Sequence, residues 1–382
     1  MRPGEVAPGT RPLLTGRSEA RQGSQNPWSR VERPHVAARM EDALDTWIAA
    51  TLVQRGWTVR IVPYGGYGGP GWVRVLARTV LAAPGVADDD LAESGATAQT
   101  HDQDRDLADV RGWRSFLSAP VASTDVEVHV GDQVHHVVAD RGGYVDHVLV
   151  GELEPGWQEV TLSACGSAPV TAPIQVAAQV GTGVVCDIDD TVMVTRLPRP
   201  FIAAWNSLVR RADAREAVPG MAGLLHALRD RDPDGPLVYL STGAWDTAPA
   251  VARFLRVHGF PAGTLLMTDW GPTNTGWFRS GPRHKVTQLR RLFHELPDVR
   301  WSLVGDDGQQ DPRVYAGALA NHGDNVAAVL LRQLTFAEHV LSSLTAWHFP
   351  PDGTPRPTRE VPVLAGPDGF ALLDAARGAG LV

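Results

Sequence analysis

Four short polar motifs stand out in the second half of the chain. They are Asp187-Ile188-Asp189-Asp190, Ser241-Thr242-Gly243, His284-Lys285 and Gly305-Asp306-Asp307-Gly308-Gln309-Gln310-Asp311. The first, second and fourth follow short apolar runs of the kind that form buried strands. Because ligands of an open parallel sheet bind at the carboxyl ends of its strands, we expect these motifs to converge on one sheet edge.

The residue types in these motifs suit phosphoryl chemistry. Asp187 and Asp189 stand two residues apart where a strand ends, so their side chains point the same way. One carboxylate can attack phosphorus while the other handles the proton of the leaving group. Carboxylates that share a site repel one another unless a cation lies among them, and Asp306 with Asp187 would suit Mg²⁺. The hydroxyl of Ser241 and the ammonium of Lys285 would hold the phosphoryl oxygens.

Lys285 is the only lysine in the sequence, so the other 34 of its 35 basic residues are arginine. It lies 21 residues before Asp306, which leaves room for one helix and one strand. A compact ammonium suits a short contact with a phosphoryl group better than a planar guanidinium does. We therefore predict that Lys285 has a function in the site.

The elements that must position these motifs follow from the hydrophobic pattern. After Gly183, short apolar runs alternate with helical stretches, which predicts a parallel sheet with helices on both faces. The predicted strands are 184–188, 236–241, 265–268, 301–305 and 326–331, and the predicted helices are 221–229, 248–257, 285–295 and 313–320.

The region from Thr58 to Val180 has a different pattern. Alternating segments separated by Gly, Pro and Asp clusters predict a small, mostly antiparallel β domain. Its predicted strands are 58–63, 72–81, 125–130, 144–150 and 157–162, and the Gly65–Gly71 cluster is interpreted as turns. We expect a disordered tail at 1–34, a helix (36–55) plus this β-rich domain within 35–180, an α/β domain at 181–345 and a C-terminal extension at 346–382.

The four motifs, in this order, resemble those of the haloacid dehalogenase superfamily of phosphatases. More narrowly, D-I-D-D-T-V, Y-L-S-T-G, H-K and G-D-D-G-Q-Q-D-P resemble the catalytic domain of the actin-patch-associated phosphatidate phosphatases and their bacterial relatives. The resemblance covers roughly residues 181–335, with weaker markers at Pro63–Gly68 of the β region. It implies a Rossmann-like parallel sheet of haloacid dehalogenase type with a small cap or flap.

The resemblance also implies a role for each catalytic residue. Asp187 would be the nucleophile that forms an aspartyl phosphate. Asp189 would protonate the leaving alkoxide and then activate water, while its backbone carbonyl would bind Mg²⁺. Ser241 and Lys285 would bind the phosphoryl group.

The fourth motif would complete the metal site. Asp306 would bind the metal, and either Asp311 or Asp307 would hold metal waters or orient Lys285. The sequence departs from the family here, because Asp307 stands where a serine is common. It departs again at Thr242–Trp245, where relatives often carry a Ser-Pro-Trp stretch. The departure at Asp307 leaves the choice between the two acids open. The departure at Thr242–Trp245 affects the residues expected at the rim of the substrate site.

The implied function is Mg²⁺-dependent hydrolysis of a phosphomonoester, with phosphatidate as the substrate and diacylglycerol as the product. The arginine-rich segment 196–215 follows the nucleophile motif, where this superfamily inserts a flap. We hypothesise that it meets an anionic, partly apolar substrate such as a lipid phosphate. The alternative is an ordinary amphipathic helix that covers the sheet.

Two other functions stay open at this point. One is a phosphate- or lipid-sensing binding protein with a β-domain scaffold, although the intact motif positions argue against a retired site. The other is a phosphotransferase that uses an acceptor other than water.

Composition narrows the class of protein further. A net charge of −8 argues against a general nucleic-acid-binding protein. We expect no transmembrane segment and no secretion signal, because the sequence has no run of roughly 18 apolar residues and no apolar core near its start. Cys165 and Cys186 give no disulfide framework. These features predict a cytoplasmic protein, peripheral at a membrane if its substrate is a lipid.

Overall fold

Two β-sheets dominate the part of the chain that the computed structural model describes. The described residues are 51–84, 120–164, 166–194, 215–268, 281–308, 310–335 and 360–382. The predicted tail at 1–34, residues 36–50 of the predicted first helix, Cys165 and residues 196–214 of the arginine-rich segment lie outside these ranges. Both sheets belong to one compact unit.

The first sheet has seven strands in the order β4-β3-β6-β7-β1-β2-β5. Neighbouring strands are antiparallel except for the parallel pair β1/β7, so the predicted antiparallel character is confirmed. β4 and β7 are not among the five predicted strands. The strands are β1 (Thr58–Gly69), β2 (Trp72–Ala82), β3 (Asp125–Val130), β4 (Gln133–Val138), β5 (Tyr144–Val150), β6 (Gly156–Ala164) and β7 (Val170–Val176).

The glycine cluster corrects one expectation. Turns were expected throughout Gly65–Gly71, but β1 continues through Gly69, and of the cluster only its last two residues lie in the turn to β2. The reason is the close approach of the β2 backbone. A Cβ atom on Gly66 would lie 1.9 Å from the carbonyl oxygen of Arg74. Glycine is needed here so that two strands can pack without a side chain between them.

The second sheet has six parallel strands in the order β10-β9-β8-β11-β12-β13. This confirms the predicted parallel sheet. Its strands are β8 (Gly181–Asp187), β9 (Leu237–Ala244), β10 (Thr264–Thr268), β11 (Val299–Asp306), β12 (Val326–Arg332) and β13 (Val363–Gly366). Its helices are α1 (Met221–Asp230), α2 (Ala248–Val257), α3 (Gly281–Glu295), α4 (Asp311–His322) and α5 (Gly369–Gly378).

The C-terminal residues contribute to the second sheet. The described part of the expected extension, 346–382, supplies an edge strand of this sheet, β13, and the helix α5. Leu372 and Ala376 of α5 are buried, and a Cβ atom on Gly369 would lie 2.1 Å from the backbone nitrogen of Met221. The strand is only four residues long and lies beside Pro and Gly, which hides it from periodicity.

The two sheets share a hydrophobic core. Tyr64 and Tyr67 of β1 are buried in the same cluster as the strands and helices of the second sheet. Tyr64 stacks on Trp245 with ring centroids 4.4 Å apart, and Thr264 donates a hydrogen bond to the carbonyl of Gly66 at 2.7 Å. Within the described ranges, no helix has both the length and the apolar character that crossing a membrane requires.

Candidate active site

The sheet order brings the four motifs together. β9, β8 and β11 are neighbours in the parallel sheet, and Val304, Cys186 and Tyr239 lie side by side in register. Asp187 is the last residue of β8 and Asp306 is the last residue of β11. The carboxyl ends of these strands therefore present their polar residues at one edge, as ligand-binding parallel sheets do.

Lys285, in the second turn of α3, lies between two carboxylates. Its Nζ atom is 2.6 Å from Oδ1 of Asp187 and 2.5 Å from Oδ1 of Asp311. All three residues are almost fully buried. Burial alone would lower the pKa of Lys285, but the charges of Asp187, Asp311 and Asp306 outweigh it and raise that pKa. The lysine is therefore a fixed ammonium in a low-dielectric site.

Negative charge still exceeds positive charge at this position. Burial raises the pKa of Asp187 well above its ordinary value, Lys285 opposes that shift, and the neighbouring acids Asp311 and Asp306 add to it. One ammonium thus faces a cluster of carboxylates without neutralising it. Such a cluster is stable in its charged form only with a further cation among the oxygens.

Asp187, Asp306 and Asp311 form a triad suited to such a cation. Each offers one carboxylate oxygen, and these oxygens lie within 4.8 Å of one another. Asp306 is fully buried, and burial followed by the charge of Asp311 raises its pKa to about 8. Its Oδ1 accepts a hydrogen bond from the Gly308 amide at 2.8 Å, whereas its buried Oδ2 has no hydrogen-bond partner among the described residues. An unpartnered buried oxygen in an acidic triad fits a hard divalent cation.

Asp189 connects the first motif with the second. Its Oδ2 accepts a hydrogen bond from the Ser241 hydroxyl at 3.3 Å, and the Gly243 amide donates to that hydroxyl at 2.9 Å. The chain turns sharply after Asp189, with Asp190 in the left-handed region at φ 60. The pairing of β8 with β9 sets the first and second motifs side by side.

The structure separates the two candidate acids of the fourth motif. Asp307 turns toward the end of β12, where its Oδ1 accepts a hydrogen bond from the Leu334 amide at 2.8 Å. Asp311 begins α4 and turns inward to Lys285, and its Oδ2 accepts a hydrogen bond from the Asp306 amide at 3.4 Å. Asp311 belongs to the triad, and Asp307 does not.

Sequence reasoning missed Arg332 at the end of β12. Its Nη1 donates a hydrogen bond to the carbonyl oxygen of Asp190 at 2.7 Å, and its backbone carbonyl accepts one from the Asp307 amide at 2.9 Å. Arg332 lies opposite Asp306 in the sheet register. A basic residue at the end of a predicted strand was the signal that could have found it.

Comparison with known proteins agrees with this geometry. Residues 182–333 match the family model described as the catalytic domain of phosphatidate phosphatase APP1. This segment is similar to that catalytic domain. The resemblance drawn from the four motifs is thereby confirmed, and the match supports a phosphatase activity.

The matching relatives are distant. The chain is 21% identical over 166 residues to phosphatidate phosphatase APP1 of Saccharomyces cerevisiae. The aligned region covers 42% of this chain and 27% of that protein. It is 20% identical over 156 residues to an uncharacterized protein of Schizosaccharomyces pombe. Here the aligned region covers 40% of this chain and 25% of that protein. The matched region therefore spans about a quarter of the length of either relative.

A solved structure that also matches is the HAD domain of the effector protein Lem4 from Legionella pneumophila. The identity is 14% and the TM-score is 0.28, over 41% of this chain and 87% of that chain.

The ion pairs of Lys285 lead to a stability prediction. Lys285→Met leaves Asp187 and Asp311 buried without their ammonium, so we expect the free energy of unfolding at pH 7 to fall by about 3 kcal/mol or more. Urea denaturation measures this loss. Adding Asp311→Asn should recover part of it, because one unpaired carboxylate is removed.

The matched control is Arg377→Met, which removes an exposed ion pair with Asp374 on α5. Its effect should stay within about 0.5 kcal/mol. A Lys285→Met protein as stable as the wild type would contradict the buried arrangement.

Proposed function

We propose that the protein is a Mg²⁺-dependent phosphatase that hydrolyses a phosphomonoester through an aspartyl phosphate on Asp187, and that its substrate is phosphatidate. The observation that carries the proposal is the buried contact of Asp187 with the only lysine of the chain. This contact lies beside a carboxylate triad in an APP1-like segment.

Asp187 is the nucleophile. A carboxylate oxygen of Asp187 attacks phosphorus, the bond from phosphorus to the alkoxide oxygen breaks, and an aspartyl phosphate forms. The Lys285 ammonium lies 2.6 Å from Asp187, where it can offset charge on the phosphoryl oxygens. The Ser241 hydroxyl binds the phosphoryl group from the other side of the first motif.

Asp189 moves the protons in both halves of the reaction. It gives a proton to the leaving alkoxide and later takes one from the water that attacks phosphorus, which releases phosphate and restores Asp187. Its hydrogen bond with Ser241 and the turn held by Arg332 at Asp190 support this role, because both keep the carboxylate in one place.

Asp187, Asp306 and the backbone carbonyl of Asp189 would hold Mg²⁺, and Asp311 would hold its waters and orient Lys285. When bound, the ion offsets the negative charge that the phosphate brings into an already acidic site. The unpartnered Oδ2 of Asp306 is the feature of this chain that supports a metal ligand there.

The substrate is proposed from the name of the yeast relative, phosphatidate phosphatase APP1. One described residue of the arginine-rich segment adds support. Arg215 is largely buried, and the charges of Asp189 and Asp190 act on its guanidinium, so a cation stands near the proposed general acid. A cation at this position is consistent with an anionic substrate. A lipid phosphate would bring the protein to a membrane surface during turnover, and we propose no role for nucleic acid.

The direct test of the function is Asp187→Asn. The amide cannot attack phosphorus, so we expect turnover of an aryl phosphate in Mg²⁺ to fall by at least about a thousandfold. Phosphatidate in mixed micelles should be hydrolysed faster than the aryl phosphate by the wild type, and both activities should be lost together in the variant. Phosphate release measures both.

Each arm has an outcome that contradicts part of the proposal. Unchanged turnover by Asp187→Asn would contradict the assignment of Asp187 as the nucleophile. Good turnover of the aryl phosphate with none of phosphatidate would remove the lipid substrate and keep the phosphatase. Release of the aryl alcohol only when an alcohol acceptor is added, with the phosphoryl group found on that acceptor and not as free phosphate, would indicate a phosphotransferase. Wild-type binding of the substrate without any turnover would indicate a sensor.

The metal site has its own prediction. Asp306→Asn removes one of the mutually repelling buried carboxylates, so the metal-free variant should melt at a higher temperature than the metal-free wild type. MgCl₂ at a hundredfold excess over its dissociation constant should raise the Tm of the wild type by about 5–10 °C and that of the variant very little. Differential scanning calorimetry with and without MgCl₂ measures both effects.

Asp307→Asn is the matched control, because it changes the same residue type one position later, outside the triad. This variant should keep the full response to Mg²⁺. Equal responses of the Asp306 and Asp307 variants would contradict the proposed ligand set.

A further inference from the structure

Helix α3 connects the candidate site with the first sheet. Lys285 lies near its beginning, between the carboxylates of Asp187 and Asp311. Glu295 is its last residue, and that end lies against β1, where a Cβ atom on Gly69 would come within 3.0 Å of the Leu296 side chain. One helix thus contacts the candidate site at one end and the first sheet at the other.

Three strands of the first sheet hold the last turn of α3. The hydroxyl of Tyr67 in β1 donates to Oε2 of Glu295 at 2.5 Å, and Arg74 in β2 donates to Oε1 at 2.6 Å. Arg74 also pairs with Asp146 in β5, and Asp146 pairs with Arg291 of the helix at 3.3 Å. We call this group of Tyr67, Arg74, Asp146, Arg291 and Glu295 the helix clamp.

The helix clamp buries polar and charged groups at a position where apolar side chains could stabilise the fold equally well. Tyr67 is 0% exposed and Arg74 is 2% exposed. Taking charged groups out of water is costly, and a buried ion pair can often be replaced by apolar residues without loss of stability. What hydrogen-bonded charges add is direction, since both oxygens of Glu295 are bound by different strands.

The length of the helix makes that direction matter at the site. Ten residues separate Lys285 from Glu295, which is about 15 Å along a helix. A tilt of about 5° over that length moves the far end by about 1.3 Å. Displacements of about 1 Å in a reacting group can cost about a hundredfold in rate.

We propose that the helix clamp makes the first sheet a positioning element of the active site: by fixing the end of α3, it fixes where the Lys285 ammonium lies between Asp187 and Asp311. Glu295 and Arg74 are thus positioning residues that act through Lys285. The proposal rests on the proposed phosphoryl-binding role of Lys285. It also gives the accessory sheet a function that needs no ligand of its own.

The single lysine of the chain allows a direct test. In full-length protein grown with ¹³C,¹⁵N-lysine, every lysine side-chain signal in the NMR spectrum comes from Lys285. Glu295→Ala should shift or broaden that signal and lower kcat for an aryl phosphate by about tenfold or more, with a smaller change in KM. Glu295→Gln still accepts a hydrogen bond from Arg74, so it should keep the wild-type signal and a kcat within about threefold.

A core variant of the same sheet separates positioning from stability. Val128→Ala removes buried volume from β3, which is separated from β1 by β6 and β7, so it should lower the Tm and leave the Lys285 signal and kcat unchanged. All assays are run well below the lowest Tm of the set.

Two results would overturn the inference: an unchanged Lys285 signal in Glu295→Ala, or an equal change in Val128→Ala. Failure of the proposed function is distinguishable from both. An inactive wild-type protein would contradict the proposed phosphatase activity. The NMR signal of Lys285 would still report whether the helix clamp positions that side chain.

Discussion

The buried contact of Lys285 with Asp187 and Asp311 is the interaction on which the rest of the second sheet's polar edge depends. Charges buried in a protein interior must be compensated, and here one ammonium stands among more carboxylates than it can neutralise. Burial, together with the charges of neighbouring carboxylates, raises the pKa of Asp187 and of Asp306. A site under this constraint favours a bound cation, and the proposed nucleophile and phosphoryl-binding lysine belong to the same buried cluster.

The surrounding strands and helices hold the residues around that contact in place. β8 and β11 are central neighbours in the sheet, and each aspartate is paired with the strand on its other side, Asp187 with Leu240 of β9 and Asp306 with Arg332 of β12. Arg332 holds the turn after Asp189 from the end of β12. Lys285 reaches the site from helix α3, and this helix needs support at its other end. The first sheet supplies that support through the helix clamp, which gives it a physical link to the chemistry.

The sequence predicted the second sheet and the convergence of its motifs because strand ends in a parallel sheet meet at one edge. It could not choose between Asp307 and Asp311, since both follow the same strand and only the turn at Gly308 and the start of α4 decide which carboxylate turns inward. The strand β13 was too short to leave a periodic signal. The pairing of Arg74 with Glu295 joins residues 221 positions apart, a contact that local patterns do not encode.

We propose that Asp187 carries the phosphoryl group during turnover. Rapid quenching of the reaction with acid, followed by borohydride reduction and mass spectrometry of the peptides, detects this intermediate. An aspartyl phosphate is reduced to homoserine, whereas a free aspartate is not. We expect homoserine at position 187 in protein quenched during turnover and its absence without substrate. Homoserine at position 189 instead, or at neither position while phosphate is being released, would contradict it.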